Sequence, residues 1–208
     1  MRLSVDTDIE LNEPHCGLGL VTWYRVRVTE KDRRGSFRTV GRLRAARLHL
    51  GLAADLNLPW ERVFGTSLGE LGALCRVFLN PEQDDLRPAF QVALGRDLMF
   101  IESVRMDTTR RGRNIELAAV RRLVDVLGAG CELAILPYAS NAEALLWSRL
   151  GFQVSTPGEE EGFMHLACGG EQPRTLETDV PGEFQVVPVR RAPAHRNNRA
   201  CVTRCVSV

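Results

Sequence analysis

The stretch that decides the fold runs from Leu98 to Leu127, LMFIESVRMDTTRRGRNIELAAVRRLVDVL. Its opening, from Leu98 to about Met106, is apolar and carries β-branched side chains, as a strand does. Its end, from about Ile115 to Leu127, puts Ile115, Ala119, Leu123, Val126 and Leu127 on one face of a helix. Between them a loop gathers Arg110, Arg111 and Arg113 around one glycine, Gly112. Backbone N–H groups at a helix N-terminus have no intrahelical acceptor, and the helix dipole there favours an anion. An ordinary solvated turn is the competing reading. The strand-to-helix junction favours phosphate binding, and Glu116 in the first turn opposes it.

Further along, Gly128 and Gly130 stop the helix. CELAILPY, from Cys131 to Tyr138, is apolar at nearly every position, as a strand covered on both faces should be. Strand, loop, helix and strand within about forty residues make a β-α-β unit whose two strands are parallel neighbours. In open α/β sheets, ligands bind at the carboxyl ends of such strands. Ser140 and Glu143 form a capping box for the helix NAEALLWSRL, which Gly151 ends. FQVS and FMHLAC then read as a final strand pair around the acidic turn PGEEEG.

Before this block, three β-rich stretches (RLSVDTDIEL, GLGLVTWYRVRVTE and FRTVGRLRAARLHL) precede any strong helix. A capping box at Ser67 and Glu70 opens a helix with Leu71, Leu74, Cys75 and Phe78 on its apolar face, ended by Asn80-Pro81. PEQDDLRPAFQVALG reads as a short helix or an irregular connection. The chain divides into a β-rich then helical part (1–97), a β-α-β-α-β core (98–168) and a Pro/Arg-rich tail (169–208). In the tail FQVVPV is an edge-strand candidate, and weak order is expected from Arg190 onward.

Composition sets the broad class. The 208 residues are 44% hydrophobic and 25% charged, with net charge +1, ordinary values for a globular protein. Such a balance gives no global drive towards nucleic acid or an anionic membrane. Nucleic-acid binding through the arginine-rich tail and KDRR lacks interleaved aromatics and is disfavoured. No apolar run approaches the roughly 20 residues of a membrane span, so a cytoplasmic protein is expected. The six cysteines are scattered without a C-x-x-C pair, so neither a disulfide framework nor a metal site is expected. Cys75 and Cys131 sit in apolar runs and read as buried thiols.

From Leu98 to about Cys168, about a third of the chain, the sequence resembles the GNAT superfamily of acyl-CoA-dependent N-acyltransferases. MDTTRRGRNIE stands where that family carries its loop Q/R-x-x-G-x-G/A, and ALLWSRLGF where its closing helix ends in GF. The resemblance implies an α/β fold: a GNAT-like mixed sheet with two splayed central parallel strands, flanked by helices. It implies acetyl-CoA or another acyl-CoA as co-substrate and direct acyl transfer to an amine, carried by a small molecule or a peptide. By position, Arg111, Gly112, Arg113, Asn114, Ile115 and Glu116 would hold the pyrophosphate, and Met106 would offer its backbone N–H to the thioester carbonyl.

The chain departs from the family at three places. Asn114 and Glu116 fill the two glycine positions; asparagine is the best non-glycine residue where φ must be positive, whereas a carboxylate repels phosphate. Trp147 stands where many members carry a tyrosine that protonates the leaving thiolate. The N-terminal half, which shapes the acceptor pocket, has its strands before its helices. Glu102, four residues before Met106, is a candidate base for the amine, against a surface salt bridge as the plainer reading. His165 could play the same part, though a structural role is the plainer reading. Arg121 and Arg122 read as solvated helix residues, and Trp147 as core. A catalytically inactive binding or regulatory protein of this fold is the alternative, and a homodimer is left open.

Overall fold

The computed structural model describes residues 1–8, 19–32, 34–60, 70–80, 85–91, 93, 95–155 and 162–189. Three strands come first: β1 (Arg2–Asp8), β2 (Val21–Lys31) and β3 (Phe37–Leu48). Two helices follow, α1 (Leu50–Asp55) and α2 (Glu70–Phe78). The sheet resumes with β6 (Asp97–Met106), α3 (Ile115–Leu127), β7 (Cys131–Tyr138), α4 (Asn141–Ser148), β8 (Gln153–Val154) and β9 (Gly162–Ala167). Short pairs β4 (Leu79–Asn80) with β5 (Asp85–Leu86), and β10 (Arg174–Glu177) with β11 (Phe184–Val187), stand outside the main sheet. The main sheet has seven strands in the order β1-β2-β3-β6-β7-β9-β8. Every neighbouring pair is antiparallel except β6 and β7, which are parallel. This is the mixed α/β sheet flanked by helices that the sequence implies.

Two apolar clusters flank the sheet. One packs α3 against residues such as Val26, Ile101 and Leu136, with Phe152 and Leu150 closing it. The other packs α2 against Leu48, Leu98, Phe100 and Ile135. Residues of β6 and β7 feed both clusters, which is why these strands are apolar on both faces.

Several local readings need correction. Val126 is 52% exposed, so the buried face of α3 turns through Val120 and Val124 instead. Arg121 is buried, its guanidinium paired with Asp125 one turn further along α3. The strand in FQVVPV pairs with Arg174–Glu177 as a hairpin, not with the edge of the main sheet. The helix before Pro81 ends at Phe78, where Leu79 and Asn80 turn extended to pair with Leu86 and Asp85. Ser67, the acidic turn and the chain from Arg190 lie outside the described residues.

Candidate functional site

β6 and β7 begin as neighbours and then part. Their pairing runs from Asp97↔Cys131 to Phe100↔Ile135. Beyond that point β6 stays with β3 as far as Met106↔Gly41, and β7 stays with β9 as far as Tyr138↔Gly162. The cause is local. Arg44 pairs with Ser103 and Ala45 with Ile101, so Glu102 is an extra residue on β6. Such a bulge bends its strand and sharpens the twist. A cleft of about 510 Å³ occupies the gap, with Glu102 and Val104 from one strand, Tyr138 from the other, and Glu70, Trp147 and Phe163 around it.

Backbone orientation along the upper half of β6 follows from one hydrogen bond. Asp107 N–H donates to Val40 O at 2.8 Å. Antiparallel ladders alternate, so Met106 N–H is turned away from β3, towards the side from which β7 has departed. The Met106 thioether lies across Gly41, where a Cβ would meet its Sδ at 2.1 Å.

Glu102 forms the salt bridge of its plainer reading. Its carboxylate pairs with Arg44 Nη1 at 3.0 Å, and it also lines the cleft. Arg44 is steadied from behind, its guanidinium 4.2 Å from the centre of the Trp23 ring. Burial, and then the negative charge of Glu102, push the Glu70 carboxyl above its ordinary range. Neither the Arg44 contact nor the influence on Glu70 was legible near Glu102, because those residues come from β3 and α2. Trp147 is buried as core and lines the cleft as well.

At the end of β6 the loop is stitched down before it opens. Asp107 accepts from Thr109 N–H at 3.0 Å and from Thr109 Oγ1 at 2.9 Å, and from Arg38 at 3.2 Å. The Thr109 contacts first, then Arg38 and Arg110, hold the Asp107 carboxyl below its usual range. Arg110 is committed to Glu30 on β2, whereas Arg111 is exposed. Gly112 has φ +80°, with nothing within 4 Å of where a Cβ would stand; it is required for its conformation, not for space. Asn114, the residue before α3, is left-handed at φ 54°, as its place in the loop requires, and its side chain caps no helix amide. The first intrahelical bond is Ala118 N–H to Asn114 O at 3.1 Å. The amides of Ile115, Glu116 and Leu117 therefore precede the helical ladder. Glu116 is half-buried and makes no ion pair or side-chain hydrogen bond among the described residues.

The described thiols are poor nucleophiles. Burial pushes Cys75 and Cys168 up to about 12, and Cys131 up to about 11. His165 bonds Ser155 Oγ at 2.8 Å and packs edge-on against Phe78 and Phe90, which fits a structural role. Burial holds its imidazole below the ordinary value. No group of metal-ligating side chains occurs among the described residues. No helix among them is long and apolar enough to cross a membrane.

No family model and no curated protein matches the chain. Similar solved structures include Arabidopsis thaliana NAA60 in complex with a bisubstrate analogue, 15% identical, covering 72% of this chain and 77% of that one, with TM-score 0.41. Another is Drosophila melanogaster polyamine N-acetyltransferase, which forms N-acetylagmatine: 16% identical, covering 70% of this chain and 74% of that one, with TM-score 0.35.

Proposed function

We propose that the protein is an N-acyltransferase of the GNAT type, moving an acetyl or other acyl group from acyl-CoA to an amine. The observation that carries this reading is the parting of β6 and β7 around the bulge at Glu102. It opens a cleft along β6, the strand that leads into a loop whose helix mouth offers unladdered amides. The pantetheine arm lies between the strands. Amides from Arg111 to Glu116 hold the pyrophosphate, with Arg111 adding charge. Met106 N–H donates to the thioester oxygen as negative charge develops there.

The amine nitrogen attacks the thioester carbon, the carbon–sulfur bond breaks, and CoA leaves as thiolate. Glu102, oriented by Arg44, takes the proton of the amine directly or through one water. The thiolate takes a proton from water or from the hydroxyl of Tyr138, a residue of the cleft lining; the indole N–H of Trp147, in the same lining, is too weak an acid to serve. An acyl-enzyme route is disfavoured by the suppressed thiols.

A non-catalytic protein of this fold is the second reading, favoured by Glu116 at the helix mouth and by Trp147. CoA release from acetyl-CoA with a panel of amines separates the two. Turnover that Glu102→Gln slows by about a hundredfold is expected of the enzyme. No release above background with any amine, while acyl-CoA still binds, favours the non-catalytic reading.

A further inference from the structure

Asn114 does more than tolerate a left-handed backbone. Its carboxamide is engaged at both ends. Nδ2 donates to Phe184 O at 2.6 Å, and Oδ1 accepts from Arg149 Nη1 at 2.9 Å. The two partners fix which end is which, since a carbonyl can only accept and a guanidinium can only donate. Beside it, Phe184 N–H donates to Arg113 O at 2.9 Å. Both backbone groups of Phe184 are thus spent on the loop.

These three bonds tie together parts of the chain far apart in sequence. Arg149 follows α4, and Phe184 begins the second strand of the C-terminal hairpin. The hairpin is itself well braced: Thr178 N–H donates to Glu183 O, and Gly182 N–H to Glu177 Oε1 at 2.7 Å. Phe184 and Val186 pack against the main core. The loop therefore rests on a rigid support at the residue where its backbone must reverse.

We infer that Asn114 is a positioning residue, and that the C-terminal hairpin is the back wall of the acyl-CoA loop, acting through Asn114 and Arg113. The inference rests on the acyl-CoA reading of the loop. Glycine at position 114 would relieve the left-handed backbone and restore the family's own residue, but it would remove two of the three ties. The loop would then lose the conformation that aligns its amides.

The two views of this position predict opposite results for Asn114→Gly in the full chain. If asparagine is only a substitute for glycine, acetyl-CoA binds as well or better. If it is an anchor, the Kd and KM for acetyl-CoA rise about tenfold, while KM for the amine stays nearly constant. Arg149→Gln should move the same constants in the same direction, by less. Hydrogen exchange supplies a readout that needs no turnover: acetyl-CoA slows exchange at the amides of Phe184–Val187 in the wild type, and this protection is lost in Asn114→Gly. Unchanged acetyl-CoA affinity in Asn114→Gly overturns the inference and leaves the acyl-CoA reading intact. Failure of the wild type to bind acetyl-CoA overturns both.

Discussion

Asp107, Asn114 and Glu116 show how much a single loop position can ask of a side chain. Asn114 meets a backbone demand and an anchoring demand at once; the first was readable from its place in the motif, while the second depends on Phe184 and Arg149 and was not. Glu116 stays the residue least suited to a phosphate; it is half-buried, with no ion pair among the described residues. Asp107 carries a pH signature. Its folded-state pKa lies below the ordinary 3.8, so its charge stabilises the fold above that pH, and the contribution is lost as pH falls through the lower folded value. Asp107→Asn keeps an acceptor for Thr109 and removes the charge. It is expected to lower Tm at pH 7, with the gap to wild type closing as the pH drops below 3.8. A gap independent of pH would show that the charge contributes nothing.

Among the elements, the β6-α3-β7 unit was legible because its signals are local: a strand, a helix with an apolar stripe, and a strand covered on both faces. The bulge at Glu102 was not legible, since it exists only relative to the register of β3. The burial of Arg121 was not legible either, although its partner Asp125 lies only one turn further along the helix. The start of β6 against β7 depends on Gly95. A Cβ there would lie 2.2 Å from the Cys131 carbonyl carbon and from Glu132 N, both backbone atoms that cannot swing aside. The Gly95 amide also donates to the buried Glu132 carboxylate at 2.8 Å. Gly95→Ala should force β7 to shift and lower Tm by about 4 °C or more in a thermal melt. A Tm within about 1 °C of wild type would mean that the two strands are not held so tightly at their common start.

For the whole molecule, sequence order revealed strands before helices in the first half, but not what that arrangement brings to the cleft. Glu70 from α2, Arg44 from β3 and Phe163 from β9 converge on Glu102 and Tyr138 only because the sheet order carries β6 into its centre. The C-terminal hairpin, read from sequence as tail, closes the other side of the loop through Phe184. Both outcomes come from long-range pairing, which no window of local periodicity contains. Calorimetric titration of acetyl-CoA into the full chain decides whether the loop after β6 holds acyl-CoA. Saturable binding with a Kd in the micromolar range is expected. Loss of that heat is expected when Arg111→Ala is combined with Gly112→Glu, which strains a backbone at φ +80° and sets a carboxylate beside the helix mouth. No heat of binding with millimolar acyl-CoA, or equal binding by the double variant, would contradict acyl-CoA binding by the loop.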